Sequence, residues 1–261
     1  MKVTISKLHS YKNHQKITMI TAYDALFAKL FDDIVDIILV GDSLNMSFFG
    51  ESDTLSATLD QMIYHTKAVC NGAKSAYIVA DMPFGTYQTP KQALKNATKI
   101  FKETKADAVK LEGGEEKAET IKLLTDNAIA VVAHIGLMPQ FSRSEGGYKV
   151  KGKDEISKAK LIKDAKALQE AGAVMIVVEG VKEDVAKEIT QNVDIPVIGI
   201  GAGRFVDGQV LVWSDMLGFF DEFKPKFVKR YLNGAEIVKQ AVNQYVDEVR
   251  DVKFPTQKEI Y

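Results

Sequence analysis

Cysteine is nearly absent from this chain of 261 residues, which contains only Cys70. An internal disulfide is therefore impossible, which agrees with a reducing compartment. Because Cys70 lies within a helical pattern, we expect a buried structural thiol and not a nucleophile. No apolar run approaches the roughly 18 residues that a transmembrane helix needs. Residues 1–16 are polar and basic without an apolar segment, so we expect no secretion signal and a cytoplasmic protein.

A large excess of charge of either sign is also missing. The 34 Lys and Arg residues almost balance the 35 Asp and Glu residues, which gives a formal net charge of −1. We therefore find no electrostatic basis for binding nucleic acid or an anionic membrane. Hydrophobic residues make up 46% of the chain and charged residues 26%, which is enough apolar material for a large core.

Short apolar runs that end at a polar residue recur along the chain. They precede Asp42, Asp81, Glu112, His134 and Glu179. Continuous runs of Val, Ile and Leu indicate strands that are covered on both faces, as in parallel sheets. Because polar residues at the ends of several strands are costly to desolvate, we expect them to share a function.

Helical patterns separate these strands and three others, predicted at 17–23, 196–201 and 209–213. The alternation predicts an α/β fold, a (β/α)₈ TIM barrel, for which about 250 residues is a typical length. We predict one domain over residues 1–261, with a short N-terminal lead, an aromatic-rich loop at 219–223 and a long C-terminal helix at 226–249. A doubly wound open sheet shows a similar alternation and is the alternative fold.

Three of the polar residues are carboxylates at the ends of successive strands, namely Asp42, Asp81 and Glu112. Active sites of barrels lie at this end of the strands. Three converging carboxylates would repel one another without a cation, and oxygen ligands of this kind suit Mg²⁺. We therefore predict a magnesium site, with some of the three acids bound through water. The alternative is that Asp42 and Asp81 each cap the helix that follows.

Three more polar residues are expected at the same end of the barrel. Lys110 and Glu112 are two apart on a strand and face the same way, so Lys110 either clamps a substrate carboxylate or forms an ion pair with Glu112. His134 either donates a hydrogen bond to an oxyanion or is a satisfied core residue. Glu179 follows an all-apolar strand and is the candidate general base; a pair with Lys182 is the alternative.

Gly199, Gly201 and Gly203 follow the seventh strand. In barrels a glycine loop at this place often holds a phosphate group. The signal is weak, because glycine also serves tight turns and close backbone approach. A phosphate-binding barrel is therefore a further alternative.

Seven short motifs occur in order between about Thr4 and Tyr245. They are TAYD at 21–24, VGDS at 40–43, ADMPF at 80–84, KLEGG at 110–114, HIGL at 134–137, GGYKV at 146–150 and GIGAG at 199–203. Together they resemble the motifs of the ketopantoate hydroxymethyltransferase family. No single motif is specific, but the ordered set is.

The resemblance implies a cytoplasmic (β/α)₈ barrel, usually a homodecamer, that acts in pantothenate and coenzyme A biosynthesis. It implies transfer of a hydroxymethyl group from 5,10-methylenetetrahydrofolate to 3-methyl-2-oxobutanoate, which gives ketopantoate through an enolate stabilised by Mg²⁺. By the same resemblance, Asp42, Asp81 and Glu112 bind one Mg²⁺ per subunit, and Glu179 is the base. The keto acid is implied to contact Asp42, Ser43, Asp81, Lys110 and His134.

Other functions stay open at this point. Residues 141–145 are more polar than this stretch usually is in the family. A relative in the isocitrate lyase and phosphoenolpyruvate mutase group would use similar carboxylates, but the Lys-Arg-Cys-Gly-His stretch of the lyase branch is missing around Cys70. This tells against carbon–carbon lysis of a dicarboxylate. A barrel without catalytic activity that binds a metabolite or scaffolds a complex is a third possibility.

Overall fold

The computed structural model of the protein describes residues 2–220 and 225–261. These residues form two compact units, one ending at Val212 and the other starting at Trp213. All the described strands belong to the first unit. The predicted aromatic-rich loop at 219–223 falls partly outside the described residues. That the chain is one domain stays a prediction.

Eight parallel strands close into a barrel in chain order. Their bounds are β1 Ile17–Thr21, β2 Ile37–Val40, β3 Tyr77–Asp81, β4 Ala108–Glu112, β5 Val131–Gly136, β6 Met175–Glu179, β7 Val197–Ile200 and β8 Gly208–Leu211. β8 pairs in parallel with β1, which completes the closure. The predicted TIM barrel is therefore confirmed, and the open doubly wound sheet is excluded.

The helices of the first unit precede, follow or connect the strands. They are α1 Ile5–Tyr11, α2 Ala25–Phe31, α3 Leu44–Ser47, α4 Leu59–Gly72, α5 Pro90–Glu103, α6 Ala118–Asp126, α7 Glu155–Glu170 and α8 Glu183–Gln191. The second unit contains α9 Trp213–Met216 and α10 Gly234–Arg250. None of the helices among the described residues has the length and apolar character needed to cross a membrane.

Local capping explains where several helices begin. Thr58 accepts a hydrogen bond from Gln61 N, and the Gln61 side chain accepts one from Thr58 N, which forms a capping box at the start of α4. Thr89 caps α5, with Pro90 at its first position. Cys70 lies in α4, buried and free, and burial raises the pKa of its thiol. This agrees with a structural thiol.

The end of the chain differs from the sequence-based prediction. The last strand was expected at 209–213, but it ends at Leu211, and Trp213 begins α9. The closing helix was expected from residue 226, but α10 begins at Gly234. The backbone N–H groups of Tyr231 and Gly234 donate to the carbonyl groups of Met216 and Leu217. Because these bonds tie residues 231–234 to the end of α9, the residues do not form a helical turn.

Alternate residues of the strands face the interior of the barrel. The lower layers are apolar and consist of Ile17, Met19, Ile37, Leu39, Tyr77, Val79, Ala108, Val132, Met175, Val177, Ile198 and Val210. Val3, and Leu8 of α1, pack against this cluster. By the same period of two, the inward positions nearest the carboxyl ends of β3 to β6 are polar. The barrel is therefore filled with apolar side chains below and carries polar side chains at its carboxyl end.

Candidate active site

Strand register brings the predicted polar residues to one end of the barrel. Asp81 at the end of β3 is the register partner of Lys110, and Glu112 at the end of β4 is the partner of His134. Glu179 ends β6 beside Gly136. Asp42 follows β2 by two residues. Asp42, Asp81 and Glu112 are 4%, 2% and 0% exposed, so three carboxylates are buried at this end.

Lys110 connects two of the strands. Its Nζ lies 3.1 Å from Asp81 Oδ1 and 3.3 Å from His134 Nδ1. Burial alone would lower the pKa of Lys110, but the charges of Asp81, Glu112 and Asp42 outweigh it and hold the pKa above its ordinary value. Lys110 is therefore a permanent cation, paired with Asp81, which disfavours the Schiff-base chemistry that needs a neutral amine.

The contacts of His134 fix its tautomer. The ammonium group of Lys110 can only donate, so Nδ1 of His134 is the acceptor and Nε2 carries the proton. Burial, and then the charge of Lys110, lower the pKa of His134, so the ring is neutral. Nε2 lies 3.3 Å from Glu179 Oε2, yet no described residue gives this buried atom a well-aligned hydrogen bond. The N–H group therefore lies beside the Glu179 carboxylate at the carboxyl end of the barrel.

Glu179 is more accessible than the other acids, with a side chain 17% exposed. It contacts His134, whereas Lys182, the partner considered from the sequence, is the N-cap residue of α8. A carboxylate at the mouth of a barrel, beside a neutral imidazole, is suitably placed for exchanging a proton with a bound molecule.

The three buried carboxylates are linked to one another. The backbone N–H of Asp42 donates to Asp81 Oδ2 at 3.0 Å. Gln140 donates from Nε2 to Asp42 Oδ2 at 2.8 Å and from its backbone N–H to Glu112 Oε2 at 3.1 Å. Burial, and then the charge of Asp81, raise the pKa of Asp42 to about 7; burial likewise raises the pKa of Glu112.

Helix capping does not explain the buried acids. Ser43 occupies the N-cap position of α3, the helix that follows Asp42. The helix that follows Asp81 is α5, which is capped by Thr89. Ser43 Oγ lies 2.8 Å from the hydroxyl oxygen of Tyr23. A Cβ atom built on Gly41 would lie 2.8 Å from Ser43 Oγ and 3.6 Å from Asp81 Oδ2, so Ser43 is beside the carboxylate cluster. The capping alternative is therefore wrong for Asp42 and Asp81, and the roles of the acids stay predictions.

The cluster fits a hydrated Mg²⁺ ion better than a metal held entirely by protein. Among residues 2–220 and 225–261, no three His, Cys, Asp or Glu side chains form a complete ligand group for a metal ion. However, two buried carboxylate oxygens receive no well-aligned hydrogen bond from the described residues, namely Glu112 Oε1 and Asp81 Oδ1, the latter being in the ion pair with Lys110 at 3.1 Å. Mg²⁺ usually takes one or two carboxylates and keeps several waters, so these donors are sufficient.

Gln140 and Tyr87 are site residues that the sequence did not reveal. Gln140 lies in the short 3₁₀ turn Pro139–Phe141 after β5, and Tyr87 lies in the loop before α5. The Tyr87 hydroxyl donates to Gln140 Oε1. A proline three residues after the strand end was a possible signal, because it predicts a turn at the barrel mouth. Nothing in the sequence indicated the contact with Asp42.

The glycines after β7 have a local explanation. Gly201 and Gly203 have φ values of +60° and +78°, which other residues rarely adopt. A Cβ atom on Gly203 would lie 2.3 Å from Cγ of Glu183. These glycines therefore serve turn geometry and close packing, and the phosphate hypothesis gains no support from them.

Comparison with known proteins decides the family. Residues 2–257 match the family described as ketopantoate hydroxymethyltransferase. The chain belongs to the ketopantoate hydroxymethyltransferase family. It is 66% identical over 260 residues to the 3-methyl-2-oxobutanoate hydroxymethyltransferase of Aliarcobacter butzleri, covering 100% of this chain and 97% of that relative. The enzyme of the same name from Helicobacter acinonychis is 60% identical over 260 residues, covering 100% of this chain and 96% of the relative.

Family membership confirms the resemblance read from the motifs, and with it the assignment to a transferase family of pantothenate biosynthesis. The individual roles of Asp42, Asp81, Glu112 and Glu179 stay predictions. So do the contacts of Ser43, Lys110 and His134 with the keto acid.

Solved structures support the fold of the family. A phosphonopyruvate hydrolase superposes with a TM-score of 0.64 at 14% identity, covering 99% of this chain and 93% of that one. A 2,3-dimethylmalate lyase of the PEP mutase/isocitrate lyase superfamily gives a TM-score of 0.60 at 16% identity, covering 100% and 93%. Because the identities are so low, the relationship with that superfamily, considered from the sequence, is one of fold.

Proposed function

We propose that this chain is a cytoplasmic 3-methyl-2-oxobutanoate hydroxymethyltransferase. It transfers the one-carbon unit of 5,10-methylenetetrahydrofolate to C3 of 3-methyl-2-oxobutanoate and gives ketopantoate and tetrahydrofolate. The observation that carries this proposal is the position of Glu179 and His134 beside three buried carboxylates, at the active end of the barrel. The family to which the chain belongs supplies the substrates.

Asp42, Asp81 and Glu112 would hold one Mg²⁺ ion per subunit, some of them through water. Bound there, Mg²⁺ would supply Lewis-acid stabilisation of negative charge on the keto acid oxygens. The protonated Lys110 offers a fixed positive charge to the substrate carboxylate, and Ser43 offers a hydroxyl group from the adjoining strand end. These groups orient the keto acid with its C3 toward Glu179.

Glu179 takes the proton from C3 of the keto acid. The electron pair of the broken C–H bond delocalises onto the keto oxygen, to which His134 donates its Nε2–H. A neutral imidazole suits this task, because its proton is held in place by the Lys110 contact at Nδ1. Glu179 thus removes the proton from C3, and His134 stabilises the negative charge that develops on the keto oxygen.

The remaining steps form and break one bond each at the transferred carbon. C3 attacks the methylene carbon of the folate, and a carbon–carbon bond forms as a carbon–nitrogen bond breaks. Water then supplies the hydroxyl oxygen of the product, and a carbon–oxygen bond forms at the same carbon as its second carbon–nitrogen bond breaks. The proton taken from C3 and one proton of the water go to the two folate nitrogens, so one water is consumed for each turnover.

The homo-oligomer is also part of the proposal, with a homodecamer as the form that the family implies. Apolar side chains on α10 support it, since Ile237, Val242 and Tyr245 are 50%, 52% and 55% exposed. Further copies of the chain would cover such a surface. Light scattering of the purified protein measures the number of subunits.

A turnover assay tests the proposed function. The protein is incubated with 3-methyl-2-oxobutanoate, 5,10-methylenetetrahydrofolate and Mg²⁺, and ketopantoate is measured by mass spectrometry. We expect ketopantoate and tetrahydrofolate in equal amounts, and no product without Mg²⁺. Cleavage of 2,3-dimethylmalate without ketopantoate formation would point to a lyase instead, and no turnover of either substrate would favour a barrel that only binds.

A further inference from the structure

Gln140 occupies a position between two of the buried carboxylates. It is 4% exposed, and Tyr87, which contacts it, is 5% exposed. The two residues come from different connections of the barrel, one after β5 and one before α5. Neither is among the groups assigned above to substrate, proton transfer or metal.

The hydrogen bonds determine how the Gln140 amide is oriented. The hydroxyl oxygen of Tyr87 accepts a hydrogen bond from Glu112 N at 3.3 Å, and its proton is donated to Gln140 Oε1. The amide nitrogen then faces two acceptors, Asp42 Oδ2 at 2.8 Å and the carbonyl oxygen of Met82 at 3.1 Å. The opposite orientation would place the amide oxygen against both of these oxygens, so Tyr87 selects the one that favours Asp42.

The backbone of Gln140 acts on a second acid. Its N–H donates to Glu112 Oε2 at 3.1 Å, while Glu112 Oε1 receives no well-aligned hydrogen bond from any described residue. One residue therefore holds one oxygen of Glu112 and one oxygen of Asp42. Such contacts fix the direction of the remaining carboxylate oxygens, as hydrogen bonds to metal ligands commonly do.

We propose that Gln140 is a positioning residue for the metal carboxylates and that Tyr87 sets its amide orientation. The inference rests on the proposed function, because it assumes that Asp42 and Glu112 bind Mg²⁺. Gln140 acts through these acids and is not itself placed on the substrate. Its side-chain amide fixes the direction of the Asp42 carboxyl group through the contact with Oδ2.

Two substitutions remove the two parts of this arrangement. Gln140→Met keeps the length of the side chain and removes the amide, whereas Tyr87→Phe keeps the ring and removes the hydroxyl. Gln191→Met and Tyr64→Phe are matched controls at exposed positions. Mg²⁺ binding to each protein without substrate is measured by calorimetry, together with its melting temperature.

We expect Gln140→Met to bind Mg²⁺ about 10- to 100-fold more weakly than the original protein, the usual effect of losing a contact to a metal ligand. Tyr87→Phe should cause a smaller loss, because the amide can still adopt its present orientation. Both controls should bind Mg²⁺ normally. Deuterium exchange at C3 of the keto acid should fall in Gln140→Met and recover at saturating Mg²⁺, which a general loss of structure would not produce.

Mg²⁺ affinity of Gln140→Met within about twofold of the original would overturn the inference, as would exchange that stays low at every Mg²⁺ concentration. If Gln140→Met does not fold, normal Mg²⁺ binding by Tyr87→Phe would overturn it instead. If the original protein binds Mg²⁺ without exchanging C3 hydrogen, the proposed function fails while the affinities still decide the role of Gln140. If it does not bind Mg²⁺, both fail.

Discussion

The ionisation of Asp42 links binding to stability at the scale of one residue. Burial and the charge of Asp81 raise its pKa from an ordinary value of 3.8 to about 7 in the metal-free protein. Between these pH values the folded protein binds more protons than the unfolded chain does. Stability from this group is therefore lost as the pH rises through the window. A cation at the site would remove the penalty, because it favours the ionised carboxylate.

Asp42→Asn should therefore stabilise the metal-free protein at high pH. We expect the variant to melt above the original at pH 8, with a smaller difference at pH 5, where Asp42 is already protonated. Each kcal/mol gained corresponds to roughly 2–4 °C in a protein of this size. Thermal denaturation in the presence of a chelator measures the effect, with Asp33→Asn at an exposed position as the control. A difference that does not change with pH would contradict the assigned ionisation.

Glu179 can be tested separately from the metal cluster. Glu179→Gln keeps the shape of the side chain but removes the proton acceptor. We expect Mg²⁺ and keto-acid binding to persist, and exchange at C3 to fall by about 10²- to 10⁴-fold. NMR of the keto acid in D₂O gives the rate, and Glu170→Gln on the exposed end of α7 is the control. Exchange at the original rate would remove Glu179 from the role of base.

Helix α4 shows how an element contributes to stability without touching the chemistry. Its capping box satisfies two backbone donors at Thr58 and Gln61, with distances of 2.7 Å to Gln61 Oε1 and 3.2 Å to Thr58 Oγ1. The helix packs through Met62, Ile63 and Val69, which are buried. Its first turn therefore depends on local hydrogen bonds and its position on apolar contacts.

Thr58→Ala should lower the free energy of unfolding by about 1 kcal/mol, because one of these donors loses its acceptor. The rate of C3 exchange should stay unchanged, since Thr58 belongs to no part of the site. Urea denaturation measures the stability, and Thr58→Ser should retain most of it. A variant of normal stability would show that the cap does not hold the helix.

Elements were predictable from the sequence where the signal was local. The apolar runs located the strands, and Thr58 and Thr89 are residue types that favour the N-cap positions that they occupy at the starts of α4 and α5. The predicted start of α10 was wrong because the backbone N–H groups of Tyr231 and Gly234 donate to the carbonyl groups of Met216 and Leu217. Such bonds depend on how the chain returns on itself, which residue patterns do not record.

The site residues were likewise predictable where the signal was local, and not where it depended on distant parts of the chain. The period of two along β4 correctly placed Lys110 and Glu112 on one face, but the partner of Lys110 is Asp81, which only the register of neighbouring strands determines. Gln140 contacts an acid 98 positions earlier in the chain. Its role depends on a turn that crosses the barrel mouth, so no local pattern could indicate it.

Closure of the barrel organises the whole molecule. Apolar layers fill the interior below, and the polar residues of β3 to β6 are confined to the carboxyl end. Stability and chemistry are thereby separated along the barrel axis, as is typical of this fold. The buried acids at the carboxyl end are compensated by Lys110, Gln140 and, as proposed, Mg²⁺, whereas the buried Asp207 before β8 is compensated by Lys12.

We propose that the carboxyl end of this barrel, loaded with Mg²⁺, makes C3 of a branched keto acid exchange its proton. The most direct measurement is NMR of 3-methyl-2-oxobutanoate in D₂O with the purified protein, with and without Mg²⁺ and in the absence of folate. We expect loss of the C3 proton signal, and this loss should require both protein and Mg²⁺. A C3 signal that persists at saturating Mg²⁺ would contradict it.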